Sequence, residues 1–409
     1  MTLTRRDLLA GTAQWAAVSA AAWQAPVPDD RLPASHAFAI LAGQTYLNSA
    51  FIHPMPIVAA NAVARYIESR SFSRERWSGD DLAVKVRAQF ASLINAKPGE
   101  ISLVESTSRG ENLVVNGLGL SSAPAGGNVV TDALHFEGSL ILYGELQKRG
   151  LDVRLVRPRE WRIDLSDMEK AVDRKTKLVA LSLVSWYNGF QHDLTRVCEL
   201  AHAHGAYVYA DIVQAAGNTP IDVRASGVDF CACSSFKWLM GDFGLGFLYV
   251  RENLLDAVVR RTEYGYQQAD TAMHYLASDP PSQTPVTWTL HTDARAHFQV
   301  GTYGQGALNA LAESLAYLQR IGVDRIHAHR QPLLRRLHDE LPRLGFTAIT
   351  PHGTTSAIAA FTAPAAEKRF AAKLKQANVS VTLSGERLRV APSLFNDMRD
   401  VDKLLATLG

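Results

Sequence analysis

Lys237 follows a short apolar run, Phe230–Cys233, stands three residues after Ser234, and precedes a glycine-rich turn into a second apolar run, Phe247–Val250. A lysine so placed puts an amine at the mouth of a sheet, beside hydroxyls that can bind an anion. A partly desolvated amine gives up its proton more easily and attacks carbonyl carbon. That chemistry suits an imine bond to the aldehyde of pyridoxal 5'-phosphate (PLP). Asp211 closes the run Tyr207–Ala210, where a carboxylate beside a pyridine nitrogen would keep that nitrogen protonated and the ring electron-poor. Gln214, three residues on, reaches toward a phenolic oxygen. His135, after Asn128–Thr131, offers a flat face for stacking on a ring. Thr107 and Ser108 open a predicted helix, whose first N–H groups and hydroxyls make an anion cradle, and Ser234 adds a hydroxyl. Taken singly, each residue has a plainer reading: a helix cap, a structural histidine, a surface lysine. Their coincidence at strand ends is what points to one ring with a phosphate tail.

The elements that must carry these residues are legible as alternation. Short apolar runs at Ile101–Glu105, Asn128–Thr131, Asp152–Val156, Leu178–Val184, Tyr207–Ala210, Phe230–Cys233 and Phe247–Val250 alternate with helical stretches, which predicts an α/β fold with a mostly parallel sheet. The nearly continuous apolar run Lys177–Val184 reads as a strand buried on both faces. In such sheets ligands lie beyond the carboxyl ends of the strands, where the polar residues above fall. Leu194–His204 reads as a helix ended by Gly205, Pro280–Thr284 and Gly301–Gly306 as breaks, and Leu308–Leu318 as a further helix. The domains expected are an N-terminal arm over residues 28–49, a large PLP-binding domain over 50–300, and a smaller α/β domain over 301–409.

Bulk composition narrows the function. A hydrophobic share of 47% with 20% charged residues is that of an ordinary globular chain, and a net charge of +2 gives no reason to expect nucleic acid. No apolar run in the mature part is long enough to cross a bilayer. Three cysteines cannot build a disulfide framework; Cys231 and Cys233 alternate along one strand and so face the same way. No metal site is expected, since His202 and His204 fall on opposite sides of their helix. Gly117-Leu-Gly119 lacks the third glycine and the acid of a dinucleotide site. Thr4-Arg5-Arg6-Asp7-Leu8-Leu9 and the alanine-rich run to Ala22 resemble a twin-arginine export signal over residues 1–27. That route exports folded proteins, which suits an enzyme loaded with its cofactor in the cytoplasm, and predicts a periplasmic location.

The chain resembles the class V aminotransferase group of fold-type I PLP enzymes, which includes cysteine desulfurases, isopenicillin-N-epimerase-like proteins and kynureninase relatives. The matching pieces are Tyr46-Leu-Asn-Ser-Ala50, Ser106–Asn112, Asp132-Ala-Leu-His135, Asn188-Gly189, Ala210-Asp-Ile-Val-Gln214, Ser234-Ser-Phe-Lys237 and Gly301-Thr302. They run to Arg389 and so span nearly all the mature chain. The resemblance implies the PLP-dependent transferase (aspartate aminotransferase-like) fold, with catalytic Lys237, Asp211 and His135. It implies a homodimer in which Gly301 and Thr302 reach the neighbouring subunit's phosphate. Arg389 would hold a substrate carboxylate, with Asn48 also binding substrate. Phe236 stands where many relatives have histidine, and Trp186 or Asn188 where an asparagine approaches the ring oxygen.

The reaction expected is transamination of an amino acid or amino-acid-bearing metabolite. Epimerisation or racemisation would need a second acid on the opposite face, for which Tyr264, Tyr266 and His291 are candidates. Carbon–sulfur lysis would need a leaving group. A desulfurase also needs a mobile thiolate, and no cysteine follows Gln376. Periplasmic tailoring of a peptide siderophore is a further alternative. From another class, a protein that keeps the fold only for binding remains open.

Overall fold

The protein is represented by a computed structural model that describes residues 30–72, 80–122, 126–276, 278–279 and 284–409. The export signal expected over residues 1–27 lies outside the described residues. Among them, no helix is long and apolar enough to cross a membrane.

Strand β1 (Thr45–Tyr46) is set apart from the main sheet. That sheet comprises β2 (Ile101–Val104), β3 (Asn128–Asp132), β4 (Asp152–Val156), β5 (Thr176–Ser182), β6 (Tyr207–Asp211), β7 (Phe230–Ser234) and β8 (Gly246–Val250), in the order β2-β8-β7-β6-β5-β3-β4. Every expected strand is present, with bounds moved by two residues at most. β5 is buried along nearly its whole length because helices cover both faces of the sheet, which is why its sequence does not alternate. β8 alone runs against its neighbours. A parallel return needs a crossover helix, and the loop Ser235–Leu245 that joins β7 to β8 carries Lys237 instead. The helix Leu194–Ala203 starts on Asp193, whose side chain accepts from Arg196 N–H, and stops before Gly205, which sits at φ +77°.

A hairpin of β9 (Ala269–Met273) and β10 (Val286–Leu290) follows; the break expected at Pro280–Thr284 lies, but for Thr284, outside the described residues. The second sheet is antiparallel: β11 (Thr347–Ala348), β12 (Ala359–Thr362), β14 (Thr382–Ser384) and β15 (Arg387–Val390), ordered β11-β12-β15-β14. The helices Val323–Glu340, Ala366–Gln376 and Met398–Leu408 give it a separate core that includes Leu333, Phe361, Phe370, Leu388 and Leu404. β1 joins this part of the chain by pairing with β13 (Val379–Ser380), and Leu47 enters the same core.

The expected domain boundary at residue 301 falls just before a helix that packs on the large body. The helix Gln305–Ile321 buries Leu308, Leu311, Leu315 and Leu318 in the core of the large sheet, against the helices Ile57–Phe72 and Asp80–Leu93. Its apolar face is longer than the sequence pattern indicated and finds its counterpart on the large body.

Candidate active site

Four strand ends of the large sheet and one strand of the small sheet converge. β2 leads to Ser106, whose hydroxyl caps the helix Thr107–Gly117 by accepting from Arg109 N–H at 3.1 Å. Thr107 turns inward: its N–H donates to Ser234 Oγ and its hydroxyl meets the same oxygen, both at 2.9 Å. Ser234 N–H returns a bond to Thr107 Oγ1. A helix N-terminus and two mutually oriented hydroxyls, with Ser108 next in the first turn, therefore sit together as the sequence suggested. The Ser108 N–H and hydroxyl, the two oriented hydroxyls and the helix dipole suit a phosphate there.

β6 ends on Asp211, fully buried. Its Oδ1 accepts from Val213 N–H at 2.9 Å, while Oδ2 takes only a long 3.4 Å contact from Ser182 Oγ. Burial pushes the carboxyl above its usual range, against the pull of His135, the Val213 N–H and Lys237. His135, after β3, places Nδ1 2.8 Å from Ser182 Oγ and Nε2 3.2 Å from Glu111 Oε1. Burial works against its proton, yet Glu111, with Asp211 and Asp132 behind it, holds the imidazole above its ordinary pKa. With His135 protonated, a chain of donors runs from the imidazole to Glu111 on one side and through Ser182 to Asp211 on the other. Both ring nitrogens are thus spent inside the protein, and only the flat face is left to meet a ligand.

Glu111 received no role from the sequence. It also accepts from Ser139 Oγ at 2.5 Å and Tyr143 Oη at 2.8 Å, so every bond of this buried carboxylate supports the histidine. The available signal was its spacing: four residues after Thr107 puts it on the same face of the helix.

Lys237 is half-buried after β7. Burial lowers its amine to about 8; Asp211 opposes that shift and Arg389 reinforces it. Phe236, the residue in the usual histidine position, stacks on Phe243 with ring centroids 4.4 Å apart, and Lys237 Nζ lies 5.8 Å from the Phe236 centroid. It closes an apolar wall and contributes no polar contact. Gln214 donates Nε2–H to Ala50 O and accepts from Trp238 Nε1–H, each at 2.9 Å. One amide proton therefore remains for a ring oxygen.

Arg389 arrives from β15. Its Nη1 donates to Trp186 O at 2.7 Å and its Nη2 to Thr382 Oγ1 at 3.1 Å, while Nε has no partner. Thr382 in turn donates to Asn48 Oδ1 at 2.6 Å, which brings the two expected substrate residues into one network. Among the described residues no carboxylate pairs with Arg389. Burial first, and Arg387 second, lower its pKa to about 10. A buried guanidinium without a counter-ion is a costly arrangement that a bound carboxylate offsets.

Other expectations find a different place. Asn188 spends its amide on Trp161 O and Ile349 O, at 2.7 and 3.1 Å, and so serves a turn. Its side chain is needed there because Gly189 turns the chain sharply at φ +78°. Thr302 is exposed and bonds the Tyr266 hydroxyl, apart from the Thr107–Ser234 pair of its own chain. Tyr264 and Tyr266 are exposed, and His291 faces Asp270 at 3.4 Å; none of the three is bonded to the Lys237 cluster. All three cysteines are buried; burial pushes Cys198 to about 12 and raises Cys231 and Cys233 well above the ordinary thiol range.

The donor set fits PLP: an amine, a carboxylate oxygen short of partners, an imidazole face, and hydroxyls at a helix N-terminus. The sequence profile of the family Aminotransferase class-V matches residues 62–398. A probable cysteine desulfurase of Methanothermobacter thermautotrophicus is 28% identical over 307 residues, 73% of this chain and 72% of that protein. A cysteine desulfurase of Klebsiella pneumoniae subsp. pneumoniae is 30% identical over 260 residues, 63% of this chain and 61% of that protein. In three dimensions the apo cysteine desulfurase of Thermococcus onnurineus NA1 superposes with a TM-score of 0.80 at 23% identity, covering 93% of this chain and 98% of that one. The cystine C–S lyase C-DES, solved with its product cysteine persulfide, reaches 0.78 at 21% identity, over 91% of this chain and 98% of its own.

Proposed function

Since the chain belongs to the class V aminotransferase family of PLP enzymes, we propose that it is an aminotransferase acting at the α-carbon of an amino acid or amino-acid-bearing metabolite. PLP, its cofactor, supplies when bound an electron-accepting ring that draws charge from that carbon. The protein does the rest. The Thr107 helix terminus, Ser108 and Ser234 hold the phosphate. Asp211 Oδ2 would accept from the protonated ring nitrogen, the His135 face would cover the ring, and the second Nε2 proton of Gln214 would be free for the ring oxygen. Arg389, propped by Trp186 O and linked through Thr382 to Asn48, grips the substrate carboxylate. Lys237 Nζ takes the α-proton and returns it one position away.

The observation that carries this reading is the pairing of Lys237 with Arg389. One amine moves a proton and one uncompensated guanidinium orients the carboxylate, and Arg389 lies near enough to help lower the Lys237 amine. Transamination asks for nothing more. Epimerisation needs a second acid; Tyr264 is exposed, Tyr266 bonds Thr302 and His291 faces Asp270.

A second reading, carbon–sulfur bond cleavage, is favoured by the names of the relatives. A desulfurase hands sulfur to its own thiolate, and the buried, protonated cysteines argue against that form. A lyase that releases its sulfur product directly needs no such thiol. The holoenzyme incubated with an amino-acid panel separates the readings. Loss of the visible cofactor band, one equivalent of 2-oxo acid, and return of the band on adding a second 2-oxo acid mark transamination. Repeated release of pyruvate with sulfide from cysteine or cystine marks lysis. A protein that PLP cannot tint at all would instead favour a binding role. The proposal extends to a homodimer with Thr302 at the neighbouring site, tested by sedimentation. It extends also to twin-arginine export, tested with a reporter fused to residues 1–27. Tailoring of a peptide siderophore in the periplasm is an alternative that requires the export.

A further inference from the structure

Arg387 and Arg389 lie two residues apart on β15, so both side chains leave the same face of the strand, while Leu388 and Val390 enter the core behind it. Both guanidiniums reach the same turn. Arg389 bonds Trp186 O, and Arg387 Nη1 donates to Tyr187 O at 3.3 Å. The Arg387 guanidinium carbon sits 4.2 Å from the Tyr187 ring centroid and 5.0 Å from that of Trp186. Trp186 in turn packs edge-on against Phe136, the neighbour of His135. Arg387 is therefore held at the rim of the Lys237 cluster, half-buried.

Neither arginine has a carboxylate partner among the described residues. Glu137, exposed at the start of its helix, acts on Arg387 only from beyond ion-pairing distance. Two adjacent like charges without a counter-ion are unfavourable for folding. Stacking on two aromatic faces steadies the plane of Arg387 and leaves its N–H edge for an acceptor. We propose that the substrate carries two anionic groups: an α-carboxylate on Arg389, and a side-chain carboxylate or equivalent anion on Arg387. This rests on the amino-acid reading above and names its substrate class. A neutral side chain of the same length leaves Arg387 unpaired, which is the usual origin of steep discrimination at a charged subsite. Arg387 is then a specificity-determining residue, distinct from the catalytic Lys237.

The test uses the PLP-loaded protein and ligands that cannot react. Glutarate and succinate are compared with butyrate by titration calorimetry. The dicarboxylates are expected to bind on the order of tenfold tighter or more, the scale of a charge-assisted hydrogen-bond pair. R387Q should bring that ratio close to one, R387K should keep part of it, and R389Q should weaken all three ligands. A ratio near one in the parent protein, a ratio that R387Q leaves unchanged, or no measurable dicarboxylate binding would overturn the proposal. A purely structural Arg387 would instead lower the melting temperature of R387Q and weaken mono- and dicarboxylates alike. Because these ligands carry no amine, the result is independent of whether the enzyme transaminates: dicarboxylate preference without turnover would sink the reaction and keep the subsite.

Discussion

At Lys237 the charge on the amine is decided by neighbours that pull in opposite directions. Burial and Arg389 favour the neutral form, Asp211 the ammonium, and the balance falls at about 8. The neutral amine is the attacking form, so uptake of PLP by the cofactor-free protein should accelerate as pH rises through about 8 and level off above it. Rapid-mixing absorbance measures this, and a midpoint at the ordinary lysine value would contradict the burial argument. Replacing Arg389 by Met removes a repelling cation and should move the midpoint upward. K237A should lose borohydride-stable attachment of the pyridoxyl group, seen by peptide mass, with its circular dichroism unchanged. Asp211→Asn keeps shape and loses charge at the ring nitrogen. Its kcat should fall by about a hundredfold or more, the scale of removing one electrostatic partner of a transition state, while PLP stays bound.

One tight turn joins the two sheets. Ser185–Gln191 carries Trp186 O, the carbonyl that aims Arg389, and the turn closes on the small unit: Ser356 Oγ donates to Gly189 O at 2.7 Å and Thr350 Oγ1 to Asn188 O at 2.5 Å. A Cβ on Gly189 would lie 2.4 Å from Ile358 O, at a φ of +78° that side chains seldom adopt. Gly189→Ala should therefore cost about 1–3 kcal/mol, read as a lowered denaturant midpoint. Affinity for a substrate carboxylate should weaken with it, because the Trp186 carbonyl shifts. A variant as stable as the parent would show that the turn is not the clamp described. Strands of this size were legible because their apolar runs have no competing period; β5 is the plainest case. Asn188 was not legible, since its sequence position beside Trp186 is equally compatible with facing a ring or facing Ile349 O.

For the whole molecule, the site exists only where the large sheet meets the small one. Arg330 shows the same coupling away from the chemistry. Wholly buried on the helix Val323–Glu340, it donates to Asn218 O and lies 5.7 Å from the Trp238 ring, which itself bonds Gln214. A ligand held by the large unit should therefore stabilise the whole chain. PLP at ~100 times its dissociation constant adds about 2.7 kcal/mol to the folded state, and the melting temperature should rise in one cooperative transition. Two separate transitions, with only one responding to PLP, would mean that the units unfold independently and that the coupling through Trp238 is weak.

The strands and their positions along the chain, the lysine after β7, the aspartate ending β6 and the hydroxyls opening the Thr107 helix could all be read from the chain alone. They depend on local alternation and on position relative to a strand end, which are properties of neighbouring residues. The partners of those groups could not be read. Glu111 beneath His135, Trp238 on Gln214, the aromatic pair beneath Arg387 and the place of the helix Gln305–Ile321 involve residues far apart in sequence, brought together only when two cores close. Packing decided them, because whether a charge is paired, buried or poised is a property of the space around it.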